Sequence, residues 1–257
     1  MQLSRLVIFC LVVSVGFVSA QTTSSLEISV LSYNIRYGVK DNGQTNLLRV
    51  VEIIKKYKPD LVAIQEIDSG AVRSGKLNQL RILALLTGYE ESFVATNDLK
   101  AGCTGVGILS RWPVEAVQKL PLPNPNSTEN RALGCALIEL PDLRYLRFCN
   151  TNLDKESNLA RAMQLGVLQN FFENSVQPVI LAASLNTDPT DPHLLDLLRV
   201  FDDSGQNSED ITHIRSDARF DYVLTQKNTP IECVSHQILN EVGTSDHLPV
   251  LVKFRLK

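Results

Sequence analysis

The chain has 257 residues, of which 44% are hydrophobic and 21% charged, and its formal net charge at pH 7 is −3. This size and composition are those of one ordinary globular domain, and they exclude a fibrous, low-complexity or intrinsically disordered chain. The slightly acidic balance disfavours nucleic acid as a partner, because a tight nucleic-acid binder carries clustered Lys and Arg.

The first 20 residues differ from the rest of the chain. They read MQLSRLVIFCLVVSVGFVSA, with a positive charge at Arg5, an apolar run and small residues ending at Ala20. This layout is typical of a secretory signal peptide, so we expect cleavage after Ala20 and a secreted, extracellular protein. An uncleaved membrane anchor is the alternative, but the apolar run is short for a bilayer. With the signal peptide removed, we expect residues 21–257 to form one monomeric domain without a transmembrane segment.

Strands and helices alternate along the rest of the chain. Residues 45–60 predict a helix from their apolar spacing, with Pro59 ending it, and residues 77–89 predict a second helix capped by Gly88. A third helix is predicted over residues 157–172. Strands are predicted at SLEISVLSYNI, DLVAIQEI, VGILSRWPV, ALGCALIEL, LRYLRFCNTNL, VQPVILAASL, FDYVLTQ and HLPVLVKFRL. This mixture of hairpins and crossovers predicts a mixed α/β fold with packed sheets and outer helices.

Four cysteines would remain in the mature chain, and an even number in an exported protein permits disulfides in three connectivities. Cys135 and Cys149 flank a predicted hairpin, so they are the favoured pair; four buried free thiols are the alternative, since a core of this size needs no cross-link. The other two cysteines are Cys103 and Cys233. The sequon at Asn126 predicts a glycosylation site on an exposed loop.

Polar side chains fall at or near the ends of the predicted strands. If these ends converge, they form one acidic cleft of hard oxygen ligands, which suits magnesium or calcium and not zinc. Each residue taken alone also fits a plain role at a strand end or turn. The residues are Asn34, Glu66, 150–154, Asn186, Asp221, Asp246 and His247. The remaining histidines are interpreted more simply, His193 and His213 as surface residues and His236 as a strand-face residue.

Seven short motifs resemble the endonuclease/exonuclease/phosphatase superfamily in their order and spacing. They are SYNIRYG, PDLVAIQEID, GVGILSRWPV, NTNLD, LNTDP, FDYVL and SDHLPV. The resemblance runs from about Leu26 to Lys257. It implies a four-layer α/β/β/α sandwich of two packed mixed sheets with outer helices, and a metal-dependent site for phosphoester hydrolysis at one edge.

The resemblance also implies roles for individual residues. Glu66 would be the central ligand of Mg²⁺ or Mn²⁺, with Asn34 and Asp246 completing the metal shell partly through water. A bound metal polarises a phosphoryl oxygen, and a charged histidine stabilises the negative charge that develops. His247 would therefore contact the scissile phosphate, oriented by Asp221.

By the same resemblance, Asn186 would hold the attacking water or a phosphate oxygen.

Two positions depart from the family pattern. Ser184 stands where the family has the aspartate that activates water, and Asn152 stands where it has a histidine. A serine hydroxyl cannot accept a proton near neutral pH as a carboxylate can. Asp188 or Asp154 could serve as a replacement base, but a turn-capping role explains Asp188 better.

Two functions follow from this pattern. The first is a secreted, metal-dependent phosphodiester or phosphomonoester hydrolase with weak or impaired catalysis. The alternative is an inactive pseudoenzyme that binds a phosphorylated ligand, a lipid headgroup or a partner protein. Under the first, we expect the substrate to be a phosphate-ester small molecule or a lipid headgroup.

Overall fold

The computed structural model describes residues 25–39, 44–125, 128–206, 208 and 211–257. The expected signal peptide and the sequon at Asn126 lie outside these residues, so both stay predictions. None of the helices in the described segments is long and apolar enough to cross a membrane.

Twelve strands and four α-helices follow one another in these segments. The strands are β1 (Leu26–Asn34), β2 (Leu61–Ser69), β3 (Glu90–Asp98), β4 (Cys103–Ser110), β5 (Val114–Leu122), β6 (Arg131–Glu139), β7 (Tyr145–Asn152), β8 (Val179–Ser184), β9 (Phe201–Asp203), β10 (Asp221–Gln226), β11 (Ile231–Ile238) and β12 (Val250–Leu256). The helices are α1 (Leu47–Tyr57), α2 (Gln79–Thr87), α3 (Asn158–Glu173) and α4 (Pro192–Leu197).

The strands form two mixed six-stranded sheets. The first has the order β11-β12-β1-β2-β4-β3 and the second the order β5-β6-β7-β8-β10-β9. Each sheet contains one parallel pair, β1 with β2 and β7 with β8, and its other neighbours are antiparallel. Parallel neighbouring strands need a crossover connection. Helix α1 lies in the connection from β1 to β2, and helix α3 in the connection from β7 to β8.

Three apolar cores separate four layers. The central core lies between the sheets, where Val30 and Ala63 of the first sheet share a cluster with Phe148 and Ile180 of the second. A second core joins the first sheet to α1 and α2, and a third joins the second sheet to α3 and α4. The α/β/β/α sandwich predicted from the resemblance is confirmed.

The helix ends follow the predicted signals. Gly88 adopts a φ of 79° after α2, and its N–H donates to the carbonyl of Ala84. α1 ends at Tyr57, and Lys58 turns left-handed before Pro59. Both are αL caps of the usual kind.

The eight predicted strands omit the four edge strands of the two sheets, which are β3, β5, β9 and β11, although His236 of β11 was interpreted as a strand-face residue. β5 and β11 are exposed over most of their length, and β3 alternates between buried and partly buried residues with polar side chains among them. An edge strand carries a weaker apolar signal than a strand buried on both faces, and this is why the pattern did not reveal them.

A disulfide joins Cys135 and Cys149. The two residues lie directly opposite each other in the antiparallel pair β6–β7, so the hairpin that favoured this pairing is present. Cys103 is half-buried and Cys233 is exposed, and neither forms a disulfide.

Candidate active site

Strand register brings the predicted site residues to one edge of the sandwich. In the second sheet, Ser184 lies opposite Asn152 on one side and Asp221 on the other. In the first sheet, Asn34 ends β1 beside Gln65 of β2. The ends of β1, β7 and β8, the start of β10 and the middle of β2 therefore meet at one site, which we call the cleft.

A bulge in β2 directs Glu66 into this cleft. The pairing of β2 with β4 shifts register between Ile64 and Ile67, and Glu66 adopts a left-handed φ of 49°. A β-bulge changes the direction of the side chain that it carries, and such bulges are common beside active sites. Backbone of this kind is costly for a non-glycine residue and is frequent at functional sites.

Asn34 and Asn152 hold the carboxylate of Glu66 from the two sheets. The Nδ2 atoms of Asn34 and Asn152 donate to Glu66 Oε1 at 3.3 and 3.4 Å. The Oδ1 of Asn34 accepts from the backbone N–H of Arg36 at 3.0 Å, which turns its NH₂ group towards Glu66. These contacts bridge the sheets at the cleft.

Asn186 continues the network on the other side of Asn152. Its Nδ2 donates to Asn152 Oδ1 at 2.9 Å and to the carbonyl of Leu153 at 2.8 Å. Asn186 has a left-handed φ of 52°, which asparagine tolerates better than most residues. The site therefore contains a second residue with left-handed backbone.

Ser184 connects the Glu66 end of the network to the Asp221–His247 pair. The Nδ2 of Asn34 lies 3.4 Å from Ser184 Oγ, and Ser184 Oγ donates in turn to Asp221 Oδ1. Ser184 and Asp221 are both fully buried. The hydroxyl therefore occupies the centre of the network as a hydrogen-bonding link.

Asp221 pairs with His247 as the resemblance implied. His247 Nδ1 lies 2.7 Å from Asp221 Oδ2, and both side chains are buried. Burial alone would lower the pKa of His247, but the charge of Asp221 and its hydrogen bond outweigh burial and raise the pKa above its usual value. The carboxylate of Asp221 therefore stabilises the cationic form of the ring, and a cationic ring can stabilise charge on a phosphate.

Asp246 lies apart from this network, at the rim of the cleft. Three nitrogen atoms approach its Oδ2: Arg36 Nε at 3.4 Å, Arg215 Nε at 3.8 Å and His213 Nε2 at 3.9 Å. Two guanidinium groups and one imidazole ring therefore lie around Asp246, the residue predicted to be a metal ligand.

The donor set at Glu66 fits a magnesium-class ion. Mg²⁺ commonly binds one or two carboxylates and keeps several waters. Glu66 supplies a carboxylate that two amides hold in place, but Asn34 could offer its oxygen only after its amide rotates, because Arg36 now holds that oxygen. Ligation of the metal by Glu66, Asn34 and Asp246 stays a prediction, and Glu66 would be the central ligand.

The two proposed replacement bases are both engaged in turns. Asp188 Oδ1 accepts from the backbone N–H and the hydroxyl of Thr190, and Asp154 Oδ1 accepts from the backbone N–H groups of Glu156 and Ser157. These hydrogen bonds give both carboxylates a structural role at their turns.

Sequence reasoning missed three residues at the rim, Arg36, His213 and Arg215. His213 is not a surface residue as predicted: its side chain is only 16% exposed and packs against His247. It lies in a turn before β10, and no spacing signal points to it. Arg36 lies two residues after Asn34 in the motif SYNIRYG, so the motif itself could have indicated it. His193 is exposed, as predicted.

Fold and cleft together define an α/β/β/α sandwich that carries a carboxylate–amide network and an Asp–His pair at one edge. The chain belongs to the endonuclease/exonuclease/phosphatase family, whose model matches residues 31–247. A search of curated protein sequences found no match for this chain.

Solved structures share the fold at low sequence identity. An endonuclease/exonuclease/phosphatase from Beutenbergia cavernae is 21% identical, with a TM-score of 0.72 over 90% of this chain and 72% of that one. A mannosyl-6-phosphatase from Bacteroides thetaiotaomicron is 17% identical, with a TM-score of 0.73 over 88% and 99%. The catalytic domain of human Nocturnin, solved with bound sulfate, is 19% identical, with a TM-score of 0.70 over 89% and 94%.

Proposed function

We propose that this protein binds a divalent cation and a phosphate ester in the cleft and hydrolyses the ester only weakly. The observation that carries the proposal is the hydrogen bond from Ser184 to Asp221. This hydrogen bond supports a site that keeps its phosphate-binding groups. At the position where the family has the water-activating aspartate, this chain has a hydroxyl that donates a hydrogen bond to Asp221. A positioned general base typically contributes about 10²–10⁴-fold to the rate.

The relatives' chemistry supports a phosphate ester as the ligand. One structural neighbour is a mannosyl-6-phosphatase and another was solved with a sulfate anion. The proposed ligands are small phosphate esters or lipid headgroups bound by a monomer. Nucleic acid is disfavoured by the acidic balance of the chain.

Hydrolysis of two generic esters tests the proposed function. We expect slow, metal-dependent turnover of para-nitrophenyl phosphate or its bis-para-nitrophenyl diester with Mg²⁺ or Mn²⁺. Turnover at ordinary enzyme rates, about 1–10³ s⁻¹, would contradict impaired catalysis. Binding of a phosphate ester without any turnover would favour the pseudoenzyme, which the structural roles of Asp154 and Asp188 also favour.

Metal affinity is expected to depend on Glu66. The variant Glu66→Gln keeps the shape of the side chain and an acceptor oxygen but removes the charge that a hard cation requires. We expect titration calorimetry to show a loss of Mg²⁺ affinity of about ten-fold or more, comparable to losses at other metal sites. Glu232→Gln, which alters an exposed glutamate paired with Lys257, serves as the control. Equal Mg²⁺ affinity in the wild type and Glu66→Gln would remove the metal from the proposal.

Export is the remaining part of the proposed function. The disulfide Cys135–Cys149 supports it, because such bonds persist in oxidising compartments. We expect the protein isolated from its native host to begin near Gln21. N-terminal sequencing measures this directly, and accumulated protein that still carries Met1 would count against export.

A further inference from the structure

His213 lies at the rim of the cleft with its ring against His247. The ring centroids are 4.6 Å apart in a near edge-to-face arrangement. The backbone fixes this position, because His213 forms isolated β-bridges with both Ala218 and His247, and Ile214 N donates to the carbonyl of Asp246 at 2.9 Å. The turn is thereby attached to the loop that carries two predicted site residues.

Hydrogen bonding determines which nitrogen of His213 carries the proton. Nδ1 accepts from the backbone N–H of Ser216 at 3.2 Å. An imidazole nitrogen accepts only when it is unprotonated, so the neutral ring carries its proton on Nε2. Nε2 is therefore a donor at the rim. Its distance of 3.9 Å from Asp246 Oδ2 is outside the hydrogen-bonding range, so that contact does not use the donor.

The groups around this donor favour an anion over a cation. His213, Asp246 and His247 lie close enough to resemble a metal site, since one ligand atom from each falls within 4.8 Å of the others. A metal on His213 would need a lone pair on Nε2, where the proton is, and Arg36 and Arg215 approach the same carboxylate oxygen. A metal at this position would be repelled by both guanidinium groups.

We propose that His213 Nε2–H binds a phosphoryl oxygen of the ligand in this cleft, beside His247. His213 would supply an imidazole donor to a site in which Asn152 stands at the position of the family's histidine. This inference rests on the proposed function only in taking a phosphoryl group as the ligand. The binding role does not depend on turnover or on the metal at Glu66.

Binding of inorganic phosphate tests the role of His213, measured by calorimetry in the presence of EDTA. His213→Asn keeps an oxygen near the position of Nδ1 to accept from Ser216, but it removes the outer donor. His213→Gln is longer and places an amide NH₂ near the position of Nε2. We expect His213→Asn to lose about ten-fold or more in phosphate affinity, as for one hydrogen bond to a charged group, and His213→Gln to recover most of the loss. His193→Asn, at an exposed histidine, is expected to bind as the wild type does.

Four results would overturn the proposal. They are absence of phosphate binding by the wild type, equal affinity in all variants, equal loss in His213→Asn and His213→Gln, and a loss of Mn²⁺ affinity in His213→Asn measured without phosphate. The third result would indicate a purely structural role, and the fourth a metal ligand. The phosphate titration contains no metal, so it can show binding even when metal-dependent hydrolysis is absent. Hydrolysis can likewise be present when His213 does not contribute to phosphate binding.

Discussion

Replacing Ser184 with aspartate is expected to raise turnover of a generic phosphodiester by about 10²-fold, the lower end of what a positioned general base contributes. The measurement is the steady-state rate with Mg²⁺, compared with that of the wild type. Ser184 lies at the end of β8, where its Oγ already contacts both Asn34 and Asp221. A carboxylate at this position could accept a proton from water.

The neighbour Asp221 limits this gain. Because Ser184 donates to Asp221, an aspartate at position 184 would bring two carboxylates together, and like charges at this distance raise the pKa of one of them. His247, on the other oxygen of Asp221, offsets part of the repulsion. We therefore expect the activity of Ser184→Asp to rise with pH as the carboxylate pair loses its shared proton.

Ser184→Asn is the matched control for this prediction. It has nearly the same shape as the aspartate variant but cannot act as a base, so it should give no gain. Asn152→His should add activity only in the Ser184→Asp background, because a phosphate-contacting cation helps little when no water is activated. If Ser184→Asp is no faster than Ser184→Asn, the missing carboxylate is not what limits this protein.

The sequence predicted the network of the site because strand ends determine it. Asn152, Ser184 and Asp221 end or begin strands with clear apolar patterns, and register then places them side by side. A polar residue at the end of an apolar run can be recognised in the sequence alone. Its neighbour on the next strand follows once the fold is known.

The rim of the site could not be predicted in the same way. His213 and Arg215 lie in a turn whose position depends on backbone contacts with residues 246–248, which are distant in sequence. The direction of Glu66 depends on a bulge and a left-handed residue, and no local pattern distinguishes these from a regular strand. Side-chain direction at such points is a product of tertiary packing.

The loop that carries Asp246 and His247 is anchored by Glu241, and Glu241→Gln is expected to lower the free energy of unfolding. The carboxylate of Glu241 is only 4% exposed and accepts from Arg49 at 2.6 Å and from Lys56 at 2.7 Å, both on α1. Tyr57 donates to the same group at 3.0 Å. Removing the charge weakens three hydrogen bonds at once, but Arg49 and Lys56 can turn to water, so we expect a loss of about 2 kcal/mol in urea unfolding at pH 7.

The effect of pH distinguishes this anchor from a general loss of packing. The hydrogen bond from Lys56 is the largest of the effects that together lower the pKa of Glu241 below its usual value. A lowered pKa means that the stabilisation is fully present above the unfolded pKa of about 4.3 and is lost as pH falls through the folded pKa. The difference between the wild type and Glu241→Gln should therefore begin to shrink as the pH falls below the unfolded pKa of about 4.3, and it should approach zero only below the folded pKa of Glu241.

Glu52→Gln is the control, because Glu52 is 64% exposed and pairs with the same Arg49 at 2.7 Å. An exposed pair contributes little, so its removal should change stability by less than about 0.5 kcal/mol at pH 7. Equal losses in Glu52→Gln and Glu241→Gln would show that burial of the carboxylate adds nothing. A loss in Glu241→Gln that persists unchanged at low pH would show that the charge of Glu241 does not hold this loop on α1.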